Sequence, residues 1–257
     1  VISTVIRHES AMLLRSAQIW LIAALIAALF GYLFLTQVQA WLNVQAALAL
    51  EDKAPGLTGF LAARFLAPLA MLFSIIAPLF AMRAFSNEYR LASFPLWQSS
   101  PISSTALVIG KYTGILLVLL LLVLLAVGMV LAMGLFVPID LGTLASATLG
   151  LTLSTAAFTA TGLYFSSLTR HAMIAVLASL ALLLLLWLIG SAASSAQRVG
   201  GALPLDALRG FSIGERVAGF FQGFIATGDI VYFSVMTALF LALTVVRLDA
   251  LRDGATE

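Results

Sequence analysis

The 257-residue sequence contains no cysteine. Disulfides, thiolate metal centres and cysteine nucleophiles are thereby excluded. Charge is scarce too: only 9% of residues are Asp, Glu, Lys or Arg, against about 25% in soluble domains. With 62% hydrophobic residues and a mean hydropathy of +1.12, the chain cannot clothe itself in polar groups, and a bilayer must serve as its solvent. The net charge is only +2 and the bases are scattered, so there is no footprint for nucleic acid. His8 and His171 stand far apart, each next to an arginine. They read as interfacial polar residues, because a metal site needs several converging donors.

What the chain does have is six uncharged apolar runs: Ile19–Thr36, Phe65–Met82, Tyr112–Val137, Leu141–Leu168, Ala172–Ile189 and Ile230–Val246. Each is long enough, or nearly so, to cross the hydrocarbon core as a helix. The expected fold is an all-α membrane protein of one transmembrane domain, residues 1–257, with six transmembrane helices. A signal peptide is the rival reading of the first run, with Val38-Gln39-Ala40 as a loose cleavage site. The run exceeds a signal h-region and has an acidic residue in front of it, so it is read as an anchor.

Residues 1–18 precede it and place Ile2, Val5, Ile6, Met12 and Leu13 on one side at helical spacing. An amphipathic interfacial helix is the expectation, with Glu9 spoiling its apolar side and a fraying tail as the alternative. Val1 stands where a Met would begin a chain, which leaves open whether residues precede it. Trp41 is expected at the outer interface. Pro68 and Pro78 predict bends in the second span, and Gly128 and Gly134 a loosening of the third. Pro138-Ile139-Asp140 reads as a tight outer turn. The fourth run carries Gly, Ser and Thr throughout, the composition that lets helices approach closely in lipid, which makes it the expected centre of the bundle. A polar lining for a transport path would have the same composition.

Residues 191–229 form the largest outer segment. Within it Val217–Ala226 is too short to span and reads as a re-entrant or interfacial helix, with Asp229 capping the last span. Six crossings put both termini on one side. That side holds Arg7, Arg15, Arg83, Arg90, Lys111, Arg170, Arg247 and Arg252, and the other Lys53, Arg64, Arg198, Arg209 and Arg216. The bias makes the termini cytoplasmic.

A carrier driven by protons or sodium keeps ionisable groups inside its spans, each costing about 2.5–3.5 kcal/mol on insertion scales. Here no run centre holds one, and Lys111 at the edge of the third is expected to snorkel. There is no His-Glu-x-x-His, and Gly110-Lys111 fails as a phosphate loop because Thr105 and Tyr112 stand where Gly and Ser/Thr are needed. No cofactor is expected on this chain. Energy, if used, comes from a partner.

The segment 83–111 shows where that partner would act. It is polar, basic and aromatic, and lies between two apolar runs. Arg83, Ser86, Asn87, Glu88 and Arg90 follow the second span, and Leu91, Phe94, Leu96 and Trp97 form an apolar ridge. Pro95 and Pro101 fix turns. A rigid aromatic knob with a polar rim suits docking. A loop lying on headgroups would suit Phe94 and Trp97 equally well.

The stretches Met82-Arg83-Ala84-Phe85-Ser86-Asn87-Glu88, Ser100-Pro101-Ile102-Ser103 and Val108-Ile109-Gly110-Lys111-Tyr112 resemble the ABC-2 type (type V exporter-like) permeases, and among them the gliding-motility-associated subgroup. Phe165–Thr169 is similar to the family's inner turn after the fourth span, and Gly223–Phe233, with Gly223, Asp229 and Tyr232, to its entry into the sixth. Leu91–Gln98 departs from the family's usual coupling-helix sequence. The resemblance implies a permease that is not itself an enzyme and sits in a bacterial inner membrane. It would pair with a second permease copy or homologue and with two cytoplasmic ATPase subunits that bind ATP and Mg. An auxiliary protein with a large extracytoplasmic domain would be a plausible further partner. Residues 83–111, Gly110 and Lys111 included, would couple ATPase closure to the spans. The alternatives are an anchor that passes mechanical work across the membrane without moving a solute, and a stand-alone carrier or channel.

Overall fold

The structure, a computed structural model, describes residues 17–48, 56–90, 103–198 and 210–253. The expected interfacial helix at 1–18 lies almost wholly outside the described residues, as do Phe94, Trp97 and Pro101. The described elements are helical, with no strand among them. They are α1 Ala17–Leu48, α2 Leu57–Leu61, a π-turn Ala62–Leu66, α3 Ala67–Ala81, α4 Arg83–Arg90 and α5 Ser104–Ala132. A 3₁₀ turn Met133–Leu135 leads to α6 Leu141–Leu168, followed by α7 Ala172–Arg198, α8 Ile213–Phe221 and α9 Thr227–Asp253.

Among the described residues, six segments are long and apolar enough to cross a membrane: Trp20–Ala46, Leu57–Ser86, Ser104–Leu135, Leu141–Leu168, Ala172–Gly190 and Thr227–Arg252. All six expected spans are present, and the fourth has the expected bounds. The others run further, because a helix extends through flanking polar residues that an apolar run stops at. α1 absorbs Gln37–Leu48. The second span begins before Arg64, and the third begins at Ser104, with Ser103 accepting a hydrogen bond from the Ala106 N–H as its N-cap. The face where α1 starts and α9 ends is called proximal below, and the opposite one distal.

Pro68 acts where it was expected to, while α3 runs unbroken through Pro78. The Pro68 ring would clash with the Arg64 carbonyl in a regular helix and offers it no N–H. The helix widens there into the π-turn, whose Ala67 N–H reaches back five residues to the Ala62 carbonyl. Pro78 lies inside α3, and the helix breaks four residues later at Met82 before resuming as α4. Of the two glycines expected to loosen the third span, Gly134 lies in the 3₁₀ turn, while Gly128 stays in regular helix.

α6 is the centre of the bundle, packed against α3, α4, α5, α7, α8 and α9. Its hydroxyls turn inward to its own backbone: Thr155, Thr159 and Thr161 each donate to the carbonyl four residues back at 2.7, 2.7 and 2.9 Å. That satisfies them in a dry core and keeps the helix surface slim. A Cβ on Gly162 would lie 2.8 Å from the Pro78 Cα, and one on Gly150 2.5 Å from the Phe220 Cβ. α1 lies at the edge, held to the second span by Phe30–Phe73, Phe34–Phe65 and Trp41–Phe60 ring pairs at 5.9, 5.3 and 5.3 Å. Trp41 thus sits near the distal end, as expected.

Candidate functional site

The break at Met82 is where the second span meets the segment singled out for coupling. Interrupting a helix frees the carbonyls before the break and the N–H groups after it. One side chain from across the bundle takes up three of them. The Ser166 hydroxyl, on the last turn of α6, donates to the Met82 carbonyl at 2.9 Å. It accepts from the Phe85 and Ser86 N–H groups at 3.1 and 3.3 Å. Ser86 returns the contact by donating to the Ser166 carbonyl at 3.1 Å. Ser166 and Gly162 are four residues apart and share a face of α6, so the close crossing at Pro78 brings the hydroxyl to the break.

Phe85 is fully buried beside this clasp, and the Lys111 ammonium lies 5.5 Å from its ring centroid. Lys111 does not snorkel to the surface as expected, being 2% exposed. The reason is its place two turns inside α5, where the packed Phe85 ring supplies a negative π-face. The neighbouring Tyr112 hydroxyl donates to the Ala156 carbonyl of α6 at 3.3 Å, so Lys111 and Tyr112 tie α5 to α4 and α6. Gly110 is buried on the same helix. Arg83 begins α4 and is exposed. Asn87, Glu88 and Arg90 lie on α4. Ser86, Lys111 and Gly110 are therefore gathered at one place, and Ser166 is the member that the sequence reading quoted only as part of a turn.

At the distal end a second cluster surrounds α8. The expected short helix exists, shifted four residues earlier and packed into the bundle rather than resting on its surface. Ile213, Val217, Phe220 and Phe221 are buried. Gly150 lies 18 residues before the end of α6 at Leu168, and Gly190 lies 18 after the start of α7 at Ala172. Both are about 27 Å from the proximal ends of their helices. Phe220 sits against Gly150 and Ser212 against Gly190, so α8 lies in the distal half of the bundle, past the middle of α6.

Gly223, with φ +86°, ends α8 in the left-handed region. The Phe224 N–H bonds to the Gly219 carbonyl at 3.0 Å and the Gly223 N–H to the Phe220 carbonyl at 3.3 Å, which is a Schellman closure. Asp229 does not begin the last span as a cap. The helix starts at Thr227, which puts Asp229 in its first turn. Its carboxylate there accepts from the Arg216 guanidinium of α8 at 2.9 Å. Tyr232 lies under that guanidinium, at 5.6 Å, and donates to the Phe211 carbonyl at 2.9 Å. Asp229 and Tyr232 are thus brought together on Arg216, which the sequence placed only among the outer cations, while Gly223 packs beside Thr143 of α6.

Neither cluster has a nucleophile and base arranged for chemistry. What they offer is a mechanical joint at each end of one central helix. Six apolar spans packed around a core helix, the second interrupted beside it, describe a multi-pass membrane protein. Residues 3–250 match the ABC-2 family transporter protein family, and the chain belongs to it. It is accordingly a multi-pass permease subunit of a family whose members are normally non-enzymatic and work with an ABC ATPase subunit. No curated protein matches it.

Proposed function

We propose that the chain is the permease half of an ABC exporter in a bacterial inner membrane, with its proximal face in the cytoplasm. Two copies of a separate ATPase bind ATP and Mg, and their closure pushes the 83–111 segment. The push enters the bundle through the Ser166 clasp, and a second permease copy or homologue completes the assembly. The observation that carries this reading is α4. It continues the second span past a break, and one hydroxyl of the central helix holds it there. The excess of Lys and Arg near the termini supports the orientation.

Co-purification from a native membrane tests it. A nucleotide-binding subunit is expected to come down with the chain, and the chain alone is expected to show no ATP hydrolysis. Glu88→Lys and Trp97→Ala are expected to release that subunit. Full retention by both variants would remove 83–111 from the coupling path, and an assembly complete without any ATPase would end the reading.

A second reading keeps the ATPase and drops the solute: the chain transmits mechanical work to an auxiliary extracytoplasmic protein, as the resemblance to gliding-motility permeases implies. The packing of Phe220 on Gly150 favours it, since α8 is wedged against the central helix. Substrate-free coupling, with ATP turnover that tracks the auxiliary protein and no flux in liposomes, would distinguish it.

A further inference from the structure

Arg64 and Lys111 each lie at least a turn inside a long helix, and such residues persist in spans for a reason. Lys111 belongs to the proximal joint. Arg64 does not: it is exposed, and its described contact is with the Phe60 ring at 5.9 Å. It sits in the π-turn, a feature frequent at functional sites, and it lines a distal cleft of about 810 Å³. Phe60, Phe221 and Phe224 give that cleft apolar walls, and Thr143 and Asp140 stand at its other side.

Depth gives the cleft its chemistry. The second span has 30 residues, about 45 Å of helix for a hydrocarbon core of about 30 Å. Arg64 lies 19 residues before Arg83 on that span, about 28 Å of helix, so the two cations bracket the core and Arg64 stands at its distal edge, where its long side chain reaches the lipid phosphates. Asp140 lies further out. Its N–H donates to Thr58 at 3.0 Å, and Thr58 is six residues above Arg64 on the same helix. Asp140 is ionised at neutral pH, its carboxylate holding the Gly142 N–H at 2.9 Å and the Thr143 hydroxyl at 2.6 Å. The order from membrane to water is apolar wall, cation, anion. A phosphoethanolamine lipid has the complementary order of acyl chain, phosphate, ammonium.

We propose that this cleft binds one zwitterionic phospholipid, its phosphate on Arg64 and its ammonium toward Asp140. The lipid is a fixed ligand of the distal face, and the assignment does not depend on what the assembly exports. A choline headgroup has no N–H to donate, and a glycerol headgroup has no cation for Asp140.

The test uses the full chain reconstituted in vesicles of equal phosphatidylethanolamine, phosphatidylglycerol and phosphatidylcholine, extracted in mild detergent and weighed by native mass spectrometry. Retained phosphatidylethanolamine is expected to exceed its share of the vesicle. Arg64→Gln is expected to lower retention of all three lipids, each of which carries the phosphate, about tenfold, which is about 1.4 kcal/mol, and Arg64→Lys to restore part of it. Asp140→Asn keeps a good helix cap and is expected to abolish the preference for ethanolamine over glycerol while leaving total retention intact. Thermal unfolding of each variant separates a lost ligand from a lost fold. Equal retention of the three lipids by the parent protein, or an ethanolamine preference unmoved by both variants, would overturn the proposal.

Discussion

The two ends of α6 hold their neighbours by different means. At the distal end the joint is made of close packing and charge: Phe220 pressed on Gly150, Gly223 turned against Thr143, and Arg216 paired with Asp229. At the proximal end Gly162 also admits a close crossing, but the element beyond it, α4, is held by the hydroxyls of Ser166 and Ser86. Neutral hydrogen bonds contribute about 0.5–1.5 kcal/mol net each and can be exchanged for others. A jammed aromatic cannot be released without opening a void. The contrast assigns motion to the proximal joint and rigidity to the distal one.

The largest effect is expected where the two means meet, at Gly162. A valine there would set its Cβ 2.8 Å from a backbone atom, the Pro78 Cα, and a proline-bearing helix has little freedom to retreat. Gly162→Val is expected to cost about 1–3 kcal/mol by overpacking, to lower the thermal midpoint in detergent and to reduce the yield of monodisperse protein. A native-like midpoint would mean that the crossing is looser than the rest of the core.

Ser166→Ala comes next and sharpens the comparison directly. It leaves the Phe85 and Ser86 N–H groups and the Met82 carbonyl without the partner they share. Leaving a buried group unsatisfied costs about 1–3 kcal/mol, reduced here by whatever a rearranged Ser86 recovers. Faster hydrogen exchange is expected at 82–90, with residues 213–221 unchanged. If both regions loosen together, the ends of α6 are not separate joints.

The sequence makes the six spans and the central place of α6 readable, because both rest on composition along one helix. Uncharged runs have nowhere else to go, and the Gly, Ser and Thr of Leu141–Leu168 are what close packing requires. Span ends were less readable. Runs cut at Arg64 and Lys111 missed helices that carry one charge each, although Ser103 three residues before Ala106 is a readable cap signal. The clasp and the ion pair were not readable at all. Ser86 and Ser166 are 80 residues apart, and whether a serine faces a helix break depends on how the spans cross. Arg216 and Asp229 stood in the sequence as a loop cation and a helix cap, and only the packing of α8 joins them.

That ion pair gives the third prediction, aimed at the distal side of the comparison. The side chains of Arg216 and Asp229 are 33% and 13% exposed, so water screens the pair in part. Arg216→Met or Asp229→Leu alone strands a half-buried charge and is expected to destabilise by about 1–2 kcal/mol. The double variant is expected to lose less than the two losses added together. Thermal or denaturant unfolding of the four proteins gives the coupling energy, and strict additivity would remove the pair from the distal joint.

The smallest effect concerns pH. Asp140 caps α6 at its distal start, and its hydrogen bonds with the Thr143 side chain and backbone and with the Gly142 N–H hold its carboxyl below the ordinary aspartate value of 3.8. A carboxyl depressed on folding adds stability above its unfolded pKa, and that stability fades as pH falls through the folded value. The contribution is therefore complete at neutral pH and begins to fade only below about pH 4. Its site is fully exposed, so the loss is slight and local. In that acid range the first turns of α6 are expected to open to hydrogen exchange, after correction for the intrinsic rate, while 162–168 stay protected. Asp140→Asn, which cannot titrate, is expected to remove the difference. Acid opening at the Ser166 end instead would reverse the assignment, because the hydrogen bonds that hold α4 there come from serine hydroxyls, which do not titrate.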